Sequence, residues 1–447
     1  MQHAWNGYSK YAWGFQELDP IANHPFQGAL FSPHKLGLSI VDSLGTLYIM
    51  DMKTEFAKAK EWVRDNFNKD SFPPAASVFE WNIRYVGGLL SAYALSGEEI
   101  FKQKSVDAAD YLLPAFQSPS GLPYPNTRKG ISPRHISGGS ANLAEIGSLH
   151  LEFEYLSSIT KNKLYAQKVF KLRTALEKWK DTFLDGLIPA SVSIRNPTEV
   201  AISATASLGS PSDSFYEYLL KSWLITGEQD KQAKRMFEQT VKGMEKHLLK
   251  SQENGLMVAG TARKGGVFSP RMDHFTCFAG GMFALYGAKY PNTSKGEHYI
   301  DIGKALGKTC HEAYNRTSTG LAAENIQFMN GKMVKSESSY NQRPEAVETW
   351  FYLWRITKDP QYREWAWDLV ISLEIYCKTR TGYAGLHQVD PMHGEMPSKI
   401  GTMQSFFLAE TLKYLYLIFS KDDVIDLNKW VFTTEGHPLP VHEPVII

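Results

Sequence analysis

A 3.6-residue hydrophobic periodicity recurs along this chain from end to end, broken by joints rich in Gly and Pro, and few strand-like alternations interrupt it. It predicts fourteen helices, at roughly 4–14, 39–50, 52–67, 77–96, 99–116, 137–159, 162–182, 211–226, 229–250, 273–287, 297–314, 344–357, 360–377 and 403–419. Helices of similar length paired across short joints read as an α/α toroid. The expectation is an all-α chain in which residues 1–447 form a single large barrel domain. After the last helix, Trp430-Val-Phe-Thr-Thr434-Glu435-Gly-His437-Pro-Leu-Pro-Val reads as strand, turn and strand. A hairpin at about 430–442 is expected to plug the toroid. Two connections, 117–136 and 380–402, are too long for simple joints and are candidates to line a cleft.

Alternate helices share an acid or a histidine in the first turn. Ser39-Ile-Val-Asp42 and Ser77-Val-Phe-Glu80 have capping-box spacing, and Ser210-Pro-Ser-Asp213 repeats it with an acid. Asp273-His274 and Arg343-Pro344-Glu345 follow. Pro344 is predicted to start a helix and to set Glu345 in its opening turn, where the helix dipole favours the charged carboxylate. Taken singly, each acid is an ordinary cap. Five such termini meeting at one mouth of a toroid would crowd like charges, which must be balanced by cations, a metal or shared protons.

Charge excludes one class of partner. Lys+Arg is 48 and Asp+Glu 47, so no global field recruits nucleic acid or an acidic membrane. The aromatic content of 13% suits sugar rings as well as a core. The three cysteines, Cys277, Cys310 and Cys377, have no zinc-ligand spacing and allow one disulfide with one free thiol. The triplets Asn292-Thr-Ser and Asn315-Arg-Thr are glycosylation acceptors that fit an oxidising secretory compartment, whereas proline excludes Asn196-Pro-Thr. No run of 18 apolar residues and no signal-peptide pattern is present, so either the protein is soluble or the chain begins after an anchor, and the abrupt start Met1-Gln-His-Ala-Trp favours the second.

Several blocks together carry a resemblance. They are Ser77-Val-Phe-Glu80-Trp-Asn-Ile-Arg84-Tyr-Val-Gly-Gly-Leu-Leu, Asp213-Ser-Phe-Tyr-Glu-Tyr-Leu-Leu-Lys221, His274-Phe-Thr-Cys277-Phe-Ala-Gly-Gly-Met282, Arg343-Pro344-Glu345, Gln404-Ser-Phe406-Phe-Leu-Ala-Glu410 and Thr434-Glu435-Gly-His437-Pro. In this order, from Trp5 to about Val441, the chain resembles glycoside hydrolase family 47, the class I α-1,2-mannosidases, and within it the animal Golgi enzymes. The resemblance implies an (α/α)7 barrel, in agreement with the fourteen predicted helices. It also implies an inverting exo-hydrolase that trims terminal α-1,2-linked mannose from high-mannose N-glycans, acting as a monomer in the Golgi or secretory-pathway lumen. The full-length protein would be a type II membrane protein, with the membrane reached only through an anchor outside this chain.

By the same resemblance Glu345 is the base, and Glu80 and Asp213 are the alternatives for the acid, with Glu80 preferred. Inversion requires two such carboxyls, separated widely enough to admit a water. Arg84, Glu145, His274, Arg343, Phe406, Glu410 and Glu435 match positions that line the terminal-mannose pocket. Thr434 matches the one residue that binds Ca2+, through its hydroxyl and backbone oxygen, and such a sparse contribution leaves sites for sugar hydroxyls. Cys277 and Cys310 match the family's disulfide, which leaves Cys377 as a buried free thiol. Gly45, Pro211, Gln342 and Ile400-Gly401 depart from the family pattern and put branch and linkage preference in question. A glycan-binding quality-control factor with weak or partner-dependent hydrolysis is the alternative, since such relatives keep many of these blocks.

Overall fold

The computed structural model of the chain describes residues 1–130, 139–179, 183–195, 201, 203–252, 255–391 and 395–447. Parts of the predicted helices 137–159 and 162–182, parts of the connections 117–136 and 380–402, and the triplet Asn196-Pro-Thr lie outside these residues. Each of the fourteen predicted segments contains a helix. In chain order they are α1 (Gln2–Tyr11), α2 (Leu38–Ile49), α3 (Lys53–Asn66), α4 (Val78–Trp81), α5 (Gly87–Ser96), α6 (Glu99–Leu112), α7 (Leu143–Gly147) and α8 (His150–Thr160). There follow α9 (Leu164–Glu177), α10 (Asp213–Ile225), α11 (Lys231–His247), α12 (Phe278–Gly287), α13 (Ser294–Asn315), α14 (Glu345–Thr357), α15 (Gln361–Ser372) and α16 (Leu412–Phe419). The π-helical turn Asn82–Val86 joins α4 to α5, Leu373–Cys377 extends α15, and Phe407–Thr411 leads into α16.

The segment predicted at 137–159 departs most from expectation. Ser140–Asn142 is a strand paired with Ser191–Ser193, and the helix begins only at Leu143. Ser148 then interrupts it. Gly147 lies so close to Phe215 that a Cβ would sit 2.4 Å from the ring, and the Ser148 hydroxyl donates to Ser214 Oγ at 2.7 Å.

The described chain forms two compact units, each assembled from separate stretches. One comprises 1–33, 249–261 and 269–424; the other comprises 34–248, 262–268 and 425–447. In the second unit α2 packs on α3 and α5, α5 on α6, α8 on α9, and α10 on α11. The apolar α10 is buried from Ser214 to Ile225, whereas α11 buries only the stripe Ala233, Met236, Phe237, Thr240, Val241, Gly243 and Met244. That stripe follows the i, i+3, i+4 spacing of a helix with one face against a core. The predicted C-terminal hairpin forms from Trp430–Phe432 and Pro438–Pro440, with Trp430 opposite Pro440, and it rests on α10 and α5.

In the first unit α12 is buried on every side between α13 and α14. Two glycines permit this packing: a Cβ on Gly280 would lie 3.0 Å from Gly303 O, and one on Gly303 would lie 2.6 Å from Gly280 O. Only glycine lets the two backbones approach so closely. Full burial of large side chains such as Trp350 and Tyr352 on α14 contributes roughly 1.5–3 kcal/mol each.

Candidate active site

In the first unit the predicted residues gather at the head of α14. Pro344 is its N-cap residue and Glu345 its first helical position. Glu345 Oε2 lies 2.7 Å from His274 Nδ1, and His274 Nε2 lies 2.7 Å from the Tyr314 hydroxyl on α13. His274 opens the 3-10 turn His274–Cys277, capped by Asp273, whose Oδ1 accepts from the Thr276 N–H at 3.0 Å. Thr349, one helical turn beyond Glu345, locks this turn to α14. Its hydroxyl donates to Cys277 O (2.6 Å) and accepts from the Gly281 N–H (2.7 Å).

Arg343 is held from the other side. Its Nε donates to Glu324 Oε2 at 2.5 Å, and Glu324 Oε1 accepts from the Asn341 N–H at 3.1 Å. The guanidinium lies 4.0 Å from the Phe275 ring centroid and 5.9 Å from that of Phe406. Burial acts to raise the Glu345 pKa, but the hydrogen bond from His274, the charge of Arg343 and the helix-terminal N–H of Glu345 itself outweigh it and hold the carboxyl below its ordinary value. The helix start was expected to favour the charged acid, and its N-terminal N–H does contribute alongside these side chains.

Phe406 is the N-cap of the π-helical turn that leads into α16, and the buried Glu410 lies within that turn. Gln342 fastens this stretch to the Arg343 loop: its Oε1 accepts from the Gln404 N–H (3.2 Å) and its backbone O from the Thr411 hydroxyl (2.7 Å). The amide that departs from the family pattern therefore has a structural task. Cys277 and Cys310 form the expected disulfide, with Cα atoms 5.9 Å apart, and it ties the His274 turn to α13. Cys377 is free and buried, and burial pushes its thiol up to about 12.

In the second unit the starts of α4, α7 and α10 are neighbours, since α7 packs on both of the others. Glu80 is in the first turn of α4, where its N–H donates to Ser77 Oγ at 3.3 Å, as the capping spacing predicted. Glu145 holds the reciprocal place in α7, its Oε2 accepting from the Asn142 N–H at 3.4 Å. Asp213 is the first residue of α10, and its Oδ1 accepts from the Ser214 N–H at 2.8 Å. Two capping boxes are corrected. Gly37, not Ser39, is the N-cap of α2, which leaves Asp42 buried on the helix; Ser212 precedes α10, and its hydroxyl donates instead to Ser207 O at 3.0 Å.

Arg84 joins three carboxylates. Its Nε donates to Glu80 Oε2 (2.9 Å), and its NH1 donates to Asp42 Oδ2 (3.4 Å) and to Glu435. Burial raises the Glu435 pKa well above its ordinary value; Arg84 opposes this, while Asp42 and Glu80 add to it. His437 Nε2 lies 3.2 Å from Asp42 Oδ1. Thr434, in the hairpin turn, donates its N–H to the Tyr218 hydroxyl at 3.3 Å, and Tyr218 donates to Glu152 Oε1 at 2.6 Å. Burial raises the Glu152 carboxyl to about 7, against that hydrogen bond.

Sequence reasoning missed Glu324, Tyr314, Glu152 and Tyr218. The available signal was the pair Glu152 and Glu154 within a run of α8 otherwise destined for burial. A further cluster was also missed. Among the described residues, His150, Glu154 and Asp230 place ligand atoms within 4.8 Å of one another, compatible with a metal site. Arg173 already supplies a cation there, 2.6 Å from Asp230 Oδ2 and 3.2 Å from His150 Nε2.

The structure defines a class of mainly helical proteins built from paired helices with acids at several helix starts, and comparison narrows it. The family model for glycosyl hydrolase family 47 matches residues 1–441, so the chain belongs to that family. It is 46% identical over 452 residues to mannosyl-oligosaccharide 1,2-alpha-mannosidase IA of Sus scrofa, covering 99% of this chain and 66% of that protein. It is 44% identical over 449 residues to mannosyl-oligosaccharide 1,2-alpha-mannosidase IB of Homo sapiens, covering 99% and 68%. The chain thus spans about two thirds of the length of these relatives. The solved alpha-1,2-mannosidase from Trichoderma reesei matches with a TM-score of 0.88 and 29% identity over 99% of this chain and 97% of that one. That match establishes the fold class as the (α/α)7 type expected from the sequence.

Proposed function

We propose that the chain is an inverting, Ca2+-dependent exo-α-1,2-mannosidase that trims terminal α-1,2-linked mannose from high-mannose N-glycans during glycoprotein maturation. The observation that carries this reading is Glu345, a buried carboxyl held ionised by His274 and Arg343 in a chain of family 47. An ionised, positioned carboxylate is what a general base must be. Glu345 takes a proton from the attacking water as that water bonds to the anomeric carbon. Glu80, preferred, or Asp213 delivers a proton to the departing glycosidic oxygen from the opposite face of the sugar. Arg84 keeps the Glu80 carboxyl oriented by donating to its Oε2, which leaves the other oxygen to carry the proton. Arg343, Glu145, Glu410 and Glu435 bind sugar hydroxyls, and Phe406 stacks on the apolar face of the ring.

The donor set around Thr434 suits Ca2+. Calcium takes hard oxygen ligands, and the Thr434 hydroxyl and carbonyl supply two. Tyr218 links the Thr434 turn to the buried Glu152, which adds a carboxyl oxygen to the donors near this turn. When bound, the ion supplies positive charge that orients sugar hydroxyls and balances the acids. In this reading residues 1–447 work as one catalytic domain and a monomer in the Golgi or secretory-pathway lumen, with any membrane anchor outside this chain. No helix among the described residues is long and apolar enough to cross a membrane. The quality-control alternative would gain from an accessible thiol, and the burial of Cys377 offers none.

The test is hydrolysis of a defined nine-mannose glycan, with the product anomer read by NMR. Expected are release of β-mannose, its loss on chelation of calcium with recovery on readdition, and a fall of about a hundredfold or more in Glu345→Gln. Activity indifferent to the chelator, or absent with calcium present, overturns the reading.

A further inference from the structure

We propose that Tyr314 is a positioning residue for this reaction, acting through His274: its hydroxyl holds the imidazole with Nδ1–H on Glu345 and so keeps the base in working form. The inference rests on the reading of Glu345 as the base. An ionised carboxylate only accepts hydrogen bonds, so the ring nitrogen 2.7 Å from Glu345 Oε2 must carry the proton. In a neutral imidazole the other nitrogen is then a lone pair, and the Tyr314 hydroxyl 2.7 Å away is the donor it meets. Burial pushes the Tyr314 pKa far above its ordinary value, and the charges of Glu345 and Glu324 add to that, so the tyrosine keeps its proton.

The three groups form one chain, hydroxyl to imidazole to carboxylate. Hydrogen bonds in such a chain polarise one another, so a donor on Nε2 strengthens the Nδ1–H bond to Glu345. The scaffold serves this geometry. The Cys277–Cys310 disulfide clamps the His274 turn to α13 four residues before Tyr314, and Thr349 clamps the same turn to α14. Without the hydroxyl the buried Nε2 lone pair has no donor, the ring is free to rotate about its own bond, and Glu345 loses part of what offsets its burial. Around Glu345, Arg343 and Glu348 lie on its own loop and helix, Asp273 beside His274, and Glu324 beyond Arg343. Tyr340 and Cys377 sit next to Tyr314, both with pKa values raised by burial.

Two measurements test this. Tyr314→Phe keeps the ring and removes the oxygen; the acidic limb of its kcat–pH profile should move up by about half a unit or more, with KM changed less than about twofold. A hydroxyl that only filled space would leave the limb where it is, and that result overturns the proposal. The second needs no variant at Tyr314: in wild-type protein with 15N-labelled histidine, assigned by comparison with His274→Gln, the His274 ring should be protonated at Nδ1. A ring protonated at Nε2, alone or together with Nδ1, overturns the proposal. If wild type releases no mannose with calcium present, the reading of the reaction fails, while the NMR measurement still decides the role of Tyr314.

Discussion

Arg84 in the second unit is a buried guanidinium shared by Glu80, Asp42 and Glu435. Removing it would take away the guanidinium that these three acids share, and breaking a buried pair in this way costs roughly 3–5 kcal/mol. Arg84→Met is therefore expected to lower the urea unfolding midpoint strongly. Glu435→Gln should be far milder, because burial already favours the protonated Glu435 carboxyl. Equal losses from the two would contradict this account of the cluster. Only one of the three contacts was legible from spacing alone: Glu80 lies four residues before Arg84 on one helix, whereas Asp42 is 42 positions away and Glu435 is 351. Those two join through tertiary packing, and only the family pattern marked Glu435. The pairing of Arg343 with Glu324 was hidden for the same reason, since no periodicity connects a loop residue to an acid 19 positions earlier.

Helix existence was far more legible than helix ends. Apolar stripes such as that of α11 need only local sequence, whereas the starts of α2 and α10 were misplaced because Gly37 and Ser212 took the positions that Ser39 and Ser210 would fill in a capping box. The π-helical turns containing Arg84 and Glu410 left no mark in periodicity, as one extra residue shifts the register too little to see. Packing between elements also creates a titration that no helix shows alone. On α8, Glu154 lies 3.3 Å from His150 Nε2, and burial raises its pKa from 4.5 to about 7, with His442 and Arg173 opposing and Asp230 adding. A carboxyl with a raised folded pKa holds its proton more tightly when folded, so its contribution to stability falls as pH rises from about 4.5 to about 7 and stays low above that. Glu154→Gln removes the titration. Relative to wild type it should gain on the order of 2 kcal/mol between pH 4.5 and pH 8, read from urea midpoints at both values. A gap that does not change with pH would mean the carboxyl does not titrate in this range.

At the scale of the whole chain, the near balance of 48 basic and 47 acidic residues leaves no net field, so any strong electrostatic demand must be met locally. Such demand is concentrated around Thr434, where Asp42, Glu80, Glu152 and Glu435 belong to the same compact unit. The sequence could not reveal how that unit is built, because it draws on residues 34–248, 262–268 and 425–447, and hydrophobic periodicity carries no information about which distant segments pack together. The tail that carries Thr434 returns to α5 and α10 after more than two hundred intervening residues, so an ion bound by its turn would favour the folded arrangement of the entire unit. A ligand that binds only the folded state adds about 2.7 kcal/mol at a hundred times its dissociation constant. Calcium should therefore raise the thermal midpoint, chelation should reverse the rise, and magnesium, which demands a tighter octahedral shell, should substitute poorly. Thr434→Val keeps the backbone carbonyl but removes the hydroxyl, and it should shrink the calcium-dependent rise while leaving the midpoint in chelator close to that of wild type. A variant that responds to calcium as fully as wild type would move the ion away from this turn, and the cluster of His150, Glu154 and Asp230 would then become the place to look for it.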